Sequence, residues 1–185
     1  MRVIAHRMVV VARSHGASIA RYHARVAPGH PVTLAIRALR SAGLAFVPYQ
    51  YDWEPHGGTA ASAAALGVDE HAVVKTLIFE DDRKRPLCIL MHGDREVSAK
   101  NLARALGSKS VAPCPPAVAD KHSGYQIGGT SPFGQRVKMP LYVERTIATL
   151  PTIYVNGGQR GFLVALDPRD LIRVLAPTLV EVATT

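Results

Sequence analysis

The spacing of apolar and polar positions changes period repeatedly along this chain, which predicts many short strands interrupted by short helices. After Pro31, a residue suited to a first helical turn, Val32, Ala35, Ile36 and Leu39 share one helical face and Gly43 ends the run. A helix is therefore predicted over residues 31–42. Residues 44–51 follow as a strand in which Pro48 requires an edge position or a bulge. An Ala-rich helix over 59–66 stops at Gly67. The apolar runs 73–80 and 87–91, joined by Asp81-Asp82-Arg83-Lys84-Arg85, predict an antiparallel hairpin.

Ser98 then caps a helix carrying Leu102, Ala105 and Leu106, which Gly107 closes. Short strands are predicted at 110–112, 125–127, 141–143, 152–155, 162–166 and 178–182, with a turn of helix near 116–121. Asp167-Pro168 starts a last helix whose apolar face is Leu171, Ile172 and Leu175. This mixture argues for an α/β fold of the mixed α+β kind: a single domain with a curved, barrel-like mixed sheet flanked by helices, not a doubly wound parallel one.

The first 28 residues lack both acids and any clear period. They are expected to form a poorly ordered basic extension, residues 1–28, to a domain over 29–185. A tail, an organelle-targeting segment and a start codon set too far upstream remain open readings of it. The longest apolar runs fall far short of the roughly 20 residues that span a bilayer, so no membrane segment is expected. Two cysteines, Cys88 and Cys114, cannot build a disulfide framework or a four-cysteine zinc site, and a reducing, cytoplasmic setting fits them.

The net charge of +8 loses its force once it is divided. Residues 1–51 hold seven arginines and no acid, leaving 15 basic against 14 acidic residues in the remainder, or +1. A narrower excess is more useful: within 121–160, Lys121, Arg136, Lys138, Arg145 and Arg160 face Glu144 alone. That window encloses the glycine-rich loops, where positive potential would hold a polyanion; a solvated basic surface is the alternative.

Two loops carry the candidate chemistry. Gly128-Gly129-Thr130-Ser131-Pro132-Phe133-Gly134-Gln135 and Asn156-Gly157-Gly158-Gln159-Arg160-Gly161 let a ligand approach backbone amides, as cradles for phosphate, ribose or an oxyanion require, although tight turns would read the same way. Ser131 does not make a nucleophile elbow, because the G-x-S-x-G pattern fails at Phe133 and Pro132 has no N–H. No Gly-Lys-Ser/Thr ending of a nucleotide-hydrolysing loop is present, and the eight histidines show no metal-ligand spacing. Cys88 reads as core, whereas Cys114, set among prolines, could be exposed. Lys75 fits its surroundings least: an ammonium within an apolar run needs an anion or a ligand, unless it lies on the solvated face of an alternating strand.

Three motifs occur in order: Val74-Lys75-Thr76-Leu77, Gly124-Tyr125-x-x-Gly128-Gly129-x-Ser131-Pro132-x-Gly134-Gln135, and Ile153-Tyr154-Val155-x-Gly157-Gly158-x-Arg160-Gly161. Together they make residues 31–183 resemble YbaK-type aminoacyl-tRNA deacylases, relatives of the editing domain inserted in bacterial prolyl-tRNA synthetases. The resemblance implies a curved mixed sheet, hydrolysis of an aminoacyl ester at the tRNA 3′ end, prolyl-tRNA synthetase as a ternary partner, and no metal or organic cofactor. It implies that Lys75 is the essential lysine near the scissile carbonyl and that Tyr51 matches a tyrosine on the facing strand. Gly128, Gly129 and Thr130, followed by Ser131 and Pro132, would line the aminoacyl pocket, and Asn156, Gly157 and Gly158 the second loop, where relatives often carry serine at position 156.

Phe162-Leu163-Val164 lacks an acid that some relatives place there. The form of the first loop is similar to the branch acting on Cys-tRNA(Pro), in which the substrate's own thiol attacks the ester, so neither cysteine of the chain is required. Ala-tRNA(Pro) or another mischarged tRNA as substrate, and a non-catalytic tRNA- or synthetase-binding module, are the alternatives. Because residues 1–28 have neither apolar periodicity nor any share in the resemblance, deleting them is expected to leave deacylation and melting temperature nearly unchanged. A large loss of either would show that they pack on the domain or bind tRNA.

Overall fold

The computed structural model describes residues 29–184; the extension expected over 1–28 lies outside the described residues. Helix α1 (Leu34–Ser41) begins three residues after Pro31, because the Thr33 hydroxyl accepts the Ile36 amide at 3.1 Å and so fixes the first turn. Strand β1 (Val47–Gln50) and helix α2 (Gly58–Leu66) follow, the latter closed by Gly67 in the left-handed conformation. The predicted hairpin is strands β2 (Val73–Asp81) and β3 (Pro86–His92), paired antiparallel from Val74 and His92 to Glu80 and Pro86. Its turn is tied by Asp81, whose carboxylate accepts the Arg83 and Arg85 amides and pairs with the Arg85 guanidinium. Those contacts hold the Asp81 carboxyl below its usual range.

Beyond the short strand β4 (Glu96–Val97), Ser98 caps helix α3 (Ala99–Leu106) and Gly107 ends it, as its sequence suggests. Strand β5 (Val111–Pro113) and helix α4 (Pro116–Ser123) lead into residues 125–127, which form a turn and not the predicted strand. Side chains take the amides a neighbouring strand would need: Ser123 Oγ accepts from Tyr125 and Asp120 Oδ1 from Ile127. Strands β6 (Leu141–Glu144), β7 (Ile153–Gln159) and β8 (Phe162–Leu166) precede helix α5 (Pro168–Leu175), capped by Asp167. The last predicted strand, 178–182, ends early as β9 (Thr178–Val180), and a separate β10 (Ala183–Thr184) follows beyond its predicted bounds. It breaks where the Val182 and Ala183 amides turn aside to donate to Glu144 Oε2 at 2.7 and 2.9 Å.

The main sheet runs β1-β8-β7-β2-β3-β6-β9, with β5 also paired to β2, and its two ends are not hydrogen-bonded to each other. It is mixed: β2 with β7, β3 with β6, and β6 with β9 are parallel, and the other pairs are antiparallel. Pro48 sits in β1, an edge strand, where its missing N–H costs no internal ladder bond. One face is a continuous core, in which Val74, Ile78, Leu90, Val155 and Val164 meet Ile36 and Leu39 of α1 and Leu171 of α5. Each such fully buried side chain stabilises the fold by about 1.5–3 kcal/mol. The opposite face carries two separate clusters, one under α2 (Ala63, Leu66, Val73, Tyr154, Leu163) and one under α3 (Phe79, Ile89, Met91, Leu102).

Glu144, 3% exposed, joins the C-terminal segment to the sheet through those two amides. Glu144→Ala strands both donors, at about 1–3 kcal/mol for each that stays unpaired. The melting temperature, followed by circular dichroism, is expected to fall by roughly 5–10 °C. Glu144→Gln, which keeps an acceptor, should lose less; an unchanged melting temperature for Glu144→Ala would contradict this role.

Candidate active site

On β2 the side chains of Val73, Leu77 and Phe79 belong to the face that holds the two smaller clusters, Val73 under α2 and the other two under α3. Strand alternation puts Lys75 between them, in the seam separating the clusters. Met91 is its partner across the hairpin. On the other side β2 and β7 pair Val73 with Tyr154 and Val74 with Val155, so Lys75 comes level with Asn156, which lies one residue beyond. The Lys75 side chain is 17% exposed, and its Nζ donates to Glu96 Oε1 at 2.9 Å. Glu96 is 75% exposed, so the ion pair stands at the open edge of the seam.

Asn156 joins the two glycine loops. Its Oδ1 accepts the Gly158 and Gln159 amides at 2.7 and 3.1 Å, and its Nδ2 donates to Gly128 O at 3.0 Å. Arg160 Nε adds a bond to Ile127 O at 2.9 Å. Gly158, at φ +94°, adopts a conformation that side-chain-bearing residues rarely do, and a Cβ on Gly129 would lie 3.0 Å from the Arg160 amide nitrogen. The loops are therefore in direct contact, as the shared pocket suggested by the sequence requires. A cleft of about 320 Å³ opens between Gly129, Gly158, Gln159 and Arg160. A second, of about 350 Å³, shares its Gly124-Tyr125-Gln126 wall and continues past Lys121 and Arg136. Three of the five clustered cations thus line one trough, while Arg145 pairs with Glu181. Neither cleft reaches Lys75.

The remaining candidates divide by exposure. Gly128 is exposed, whereas Gly129, Thr130, Ser131 and Pro132 are buried. Ser131, fully buried, uses its hydroxyl to accept the Phe133 amide and shapes the loop from within. Gly157 is buried against the Phe162 ring and accepts a hydrogen bond from Thr33. Tyr51 follows β1 directly, its amide bound to Gly161 O, and packs with the cluster under α2. Burial pushes its phenol up, opposed by hydrogen bonding to Ser62 and Gly161.

Both thiols are buried, and burial disfavours the thiolate in each. Cys88 is fully buried, with its pKa pushed up to about 12 by burial. Cys114, which its prolines suggested could be exposed, is also buried and shifted upward, because it packs into the main core beneath the edge of β2. His71, His92 and Asp94 converge within 4.8 Å, a grouping their spacing does not reveal. Both His92 nitrogens already engage His71 O and Thr146 Oγ1, and His71 Nδ1 engages Asp94, so a metal would have to break these contacts.

Sequence reasoning did not single out Glu96, whose two-residue strand carries no pattern and whose partner lies 21 positions away. It also passed over Trp53, the chain's one tryptophan, and the Thr76 hydroxyl, which is shielded from solvent without a hydrogen-bond partner.

The family described as the aminoacyl-tRNA editing domain matches residues 54–174. The chain is 27% identical to the "Putative Cys-tRNA(Pro)/Cys-tRNA(Cys) deacylase EbsC" of Enterococcus faecalis over 153 residues, covering 82% of this chain and 93% of that protein. It is 34% identical over 108 residues to a proline–tRNA ligase of Nitratidesulfovibrio vulgaris, covering 58% of this chain but 17% of the ligase. In fold it is similar to the crystal structure of hypothetical protein APE2540, at TM-score 0.75 and 24% identity over 82% of this chain and 99% of that one. A structure described as a putative trans-editing enzyme for prolyl tRNA synthetase gives TM-score 0.71 and 21% identity over 84% and 100%.

The chain belongs to the aminoacyl-tRNA editing domain family. Its class of activity is the hydrolytic removal of an amino acid from tRNA.

Asn156→Ala removes the three Asn156 bonds and leaves only the Arg160–Ile127 bond between the loops, and deacylation is expected to fall about tenfold or more, that is by roughly 1.4 kcal/mol in barrier. Amide exchange at 127–129 and 157–160 should accelerate with it, and Asn156→Ser should retain more of both. Unchanged exchange together with an unchanged rate would show that the loops do not depend on this side chain.

Proposed function

We propose that this chain acts in trans on mischarged tRNA in the cytoplasm, hydrolysing Cys-tRNA(Pro) and also Cys-tRNA(Cys) in a ternary complex with prolyl-tRNA synthetase. The observation that carries this reading is the Lys75 cation level with Asn156, whose amide is bonded to Gly128, while both protein thiols are buried in the main core. The similarity to the E. faecalis protein and to a segment of proline–tRNA ligases supports the substrate and the partner.

An aminoacyl ester is already activated, so positioning and a fixed cation can suffice without a protein nucleophile. The substrate's thiol gives up its proton and attacks its own ester carbonyl. A carbon–sulfur bond forms, the ester C–O bond breaks, and the proton passes to the departing 3′ oxygen. Water then opens the thioester to free cysteine. In this role Lys75 leaves Glu96 for the carbonyl or 3′ oxygen, and Tyr51 orders the facing side of the pocket. Gly128, Gly129 and Thr130 border the aminoacyl group, Ser131 and Pro132 hold that loop's shape, and Asn156, Gly157 and Gly158 form the second wall.

Removing such a contact costs about 2–4 kcal/mol, a hundredfold or more in rate. Lys75→Ala is expected to nearly abolish turnover of Cys-tRNA(Pro) in a folded protein, while Cys88→Ala and Cys114→Ala stay active. Ser-tRNA(Pro), with a hydroxyl in place of the thiol, should react far more slowly. Equal rates on the two substrates would exclude the thiol as nucleophile, and an active Lys75→Ala would exclude the role given to that lysine.

A further inference from the structure

We infer that Trp53 and Arg160 form a stacking platform for a nucleobase of the single-stranded tRNA 3′ end, a subsite outside the aminoacyl pocket. The inference rests on the proposed action upon tRNA and adds where the nucleic acid is held. Trp53 is 37% exposed, an apolar ring left at the surface of a loop whose neighbours Asp52 and Glu54 are polar. Arg160 Cζ lies 4.5 Å from its ring centroid, so the guanidinium is stacked on the indole. The arginine is held there by its bond to Ile127 O, and Ile127 itself is 43% exposed.

The platform sits where the glycine loops meet. A Cβ on Gly128 would lie 3.5 Å from both Trp53 Nε1 and Arg160 Nε, and one on Gly161 would lie 3.4 Å from Trp53 Cβ. Every base has a π face, and stacking on an aromatic side chain is tolerant of sequence, which suits an end common to different tRNAs. Arg160 also lines the first cleft, and Lys121 and Arg136 line the second beside one acid, Asp120, which is engaged by the Ile127 amide, so the net charge there still favours phosphates of the same strand.

Order along the site matches order along the substrate. The platform adjoins Gly128, Gly128 O is bonded to Asn156, and Asn156 stands level with Lys75. That succession accepts a base, then its ribose ester, then the aminoacyl group beside the cation.

Because Trp53 is the chain's one tryptophan, fluorescence of the full chain excited to the red of tyrosine absorption reports on this platform alone. Titration with an uncharged RNA hairpin ending in a single-stranded CCA is expected to quench it saturably, and the same hairpin trimmed to a blunt end is not. In deacylation of Cys-tRNA(Pro), Trp53→Ala should raise KM about five- to a hundredfold with kcat within about threefold, and Trp53→Phe should restore most of the loss. Deacylation with an unaltered KM in Trp53→Ala, or equal quenching by the blunt hairpin, would overturn the platform while leaving the deacylase reading intact. Quenching by the CCA hairpin in a protein that hydrolyses no aminoacyl-tRNA would support the platform and overturn that reading instead.

Discussion

An ammonium group placed between two apolar clusters is the constraint on which this domain's functional face depends. The core face of the sheet is continuous from α1 to α5, but the opposite face is divided, and Lys75 occupies the division. Desolvating a charge without a partner costs far more than the about 1.5–3 kcal/mol gained by burying an aliphatic side chain. The fold answers with one largely exposed carboxylate, Glu96, supplied by a strand outside the main sheet. A cation so arranged is shielded along its stem and solvent-facing at its partner. In the proposed mechanism, substrate oxygens replace the carboxylate without reorganising the core.

The second requirement is that both glycine loops keep fixed positions beside that cation. Asn156 achieves this with three hydrogen bonds from one side chain, because β7 delivers it to the same sheet face as Lys75 and its amide spans both loops. Its carboxamide both donates and accepts, which a serine at this position could do over a shorter reach. Both thiols are buried, which disfavours the thiolate, and Ser131 is sealed inside its own turn, so in the proposed mechanism the chain contributes placement and charge. An activated ester needs no more than that.

Much of this was legible in the sequence where one local rule decided the outcome. The hairpin of β2 and β3, the Ser98 cap with its Gly107 stop, Pro48 at a sheet edge and the Asp167-Pro168 helix start all depend on neighbouring residues. The reading failed where a distant side chain decided. Asp120 and Ser123 bend residues 125–127 away from a strand, and Glu144 interrupts the last one from 38 residues away. Cys114 looked accessible among prolines but packs into the main core. Of the candidate site, Lys75 stood out as a misfit in its surroundings and the two loops by their glycines. Glu96 and the Trp53–Arg160 stack did not, because each pairs residues far apart in the chain without any periodic signal.

Discrimination between a wrong and a right amino acid on the same tRNA tests the account most directly. Initial rates of deacylation by the full chain would be measured on tRNA(Pro) carrying cysteine, alanine or proline. Cysteine should be released fastest and proline spared, since only the cysteinyl ester brings its own nucleophile to a site that supplies position and charge. Release of proline as fast as cysteine, or no release from any of the three, would contradict it.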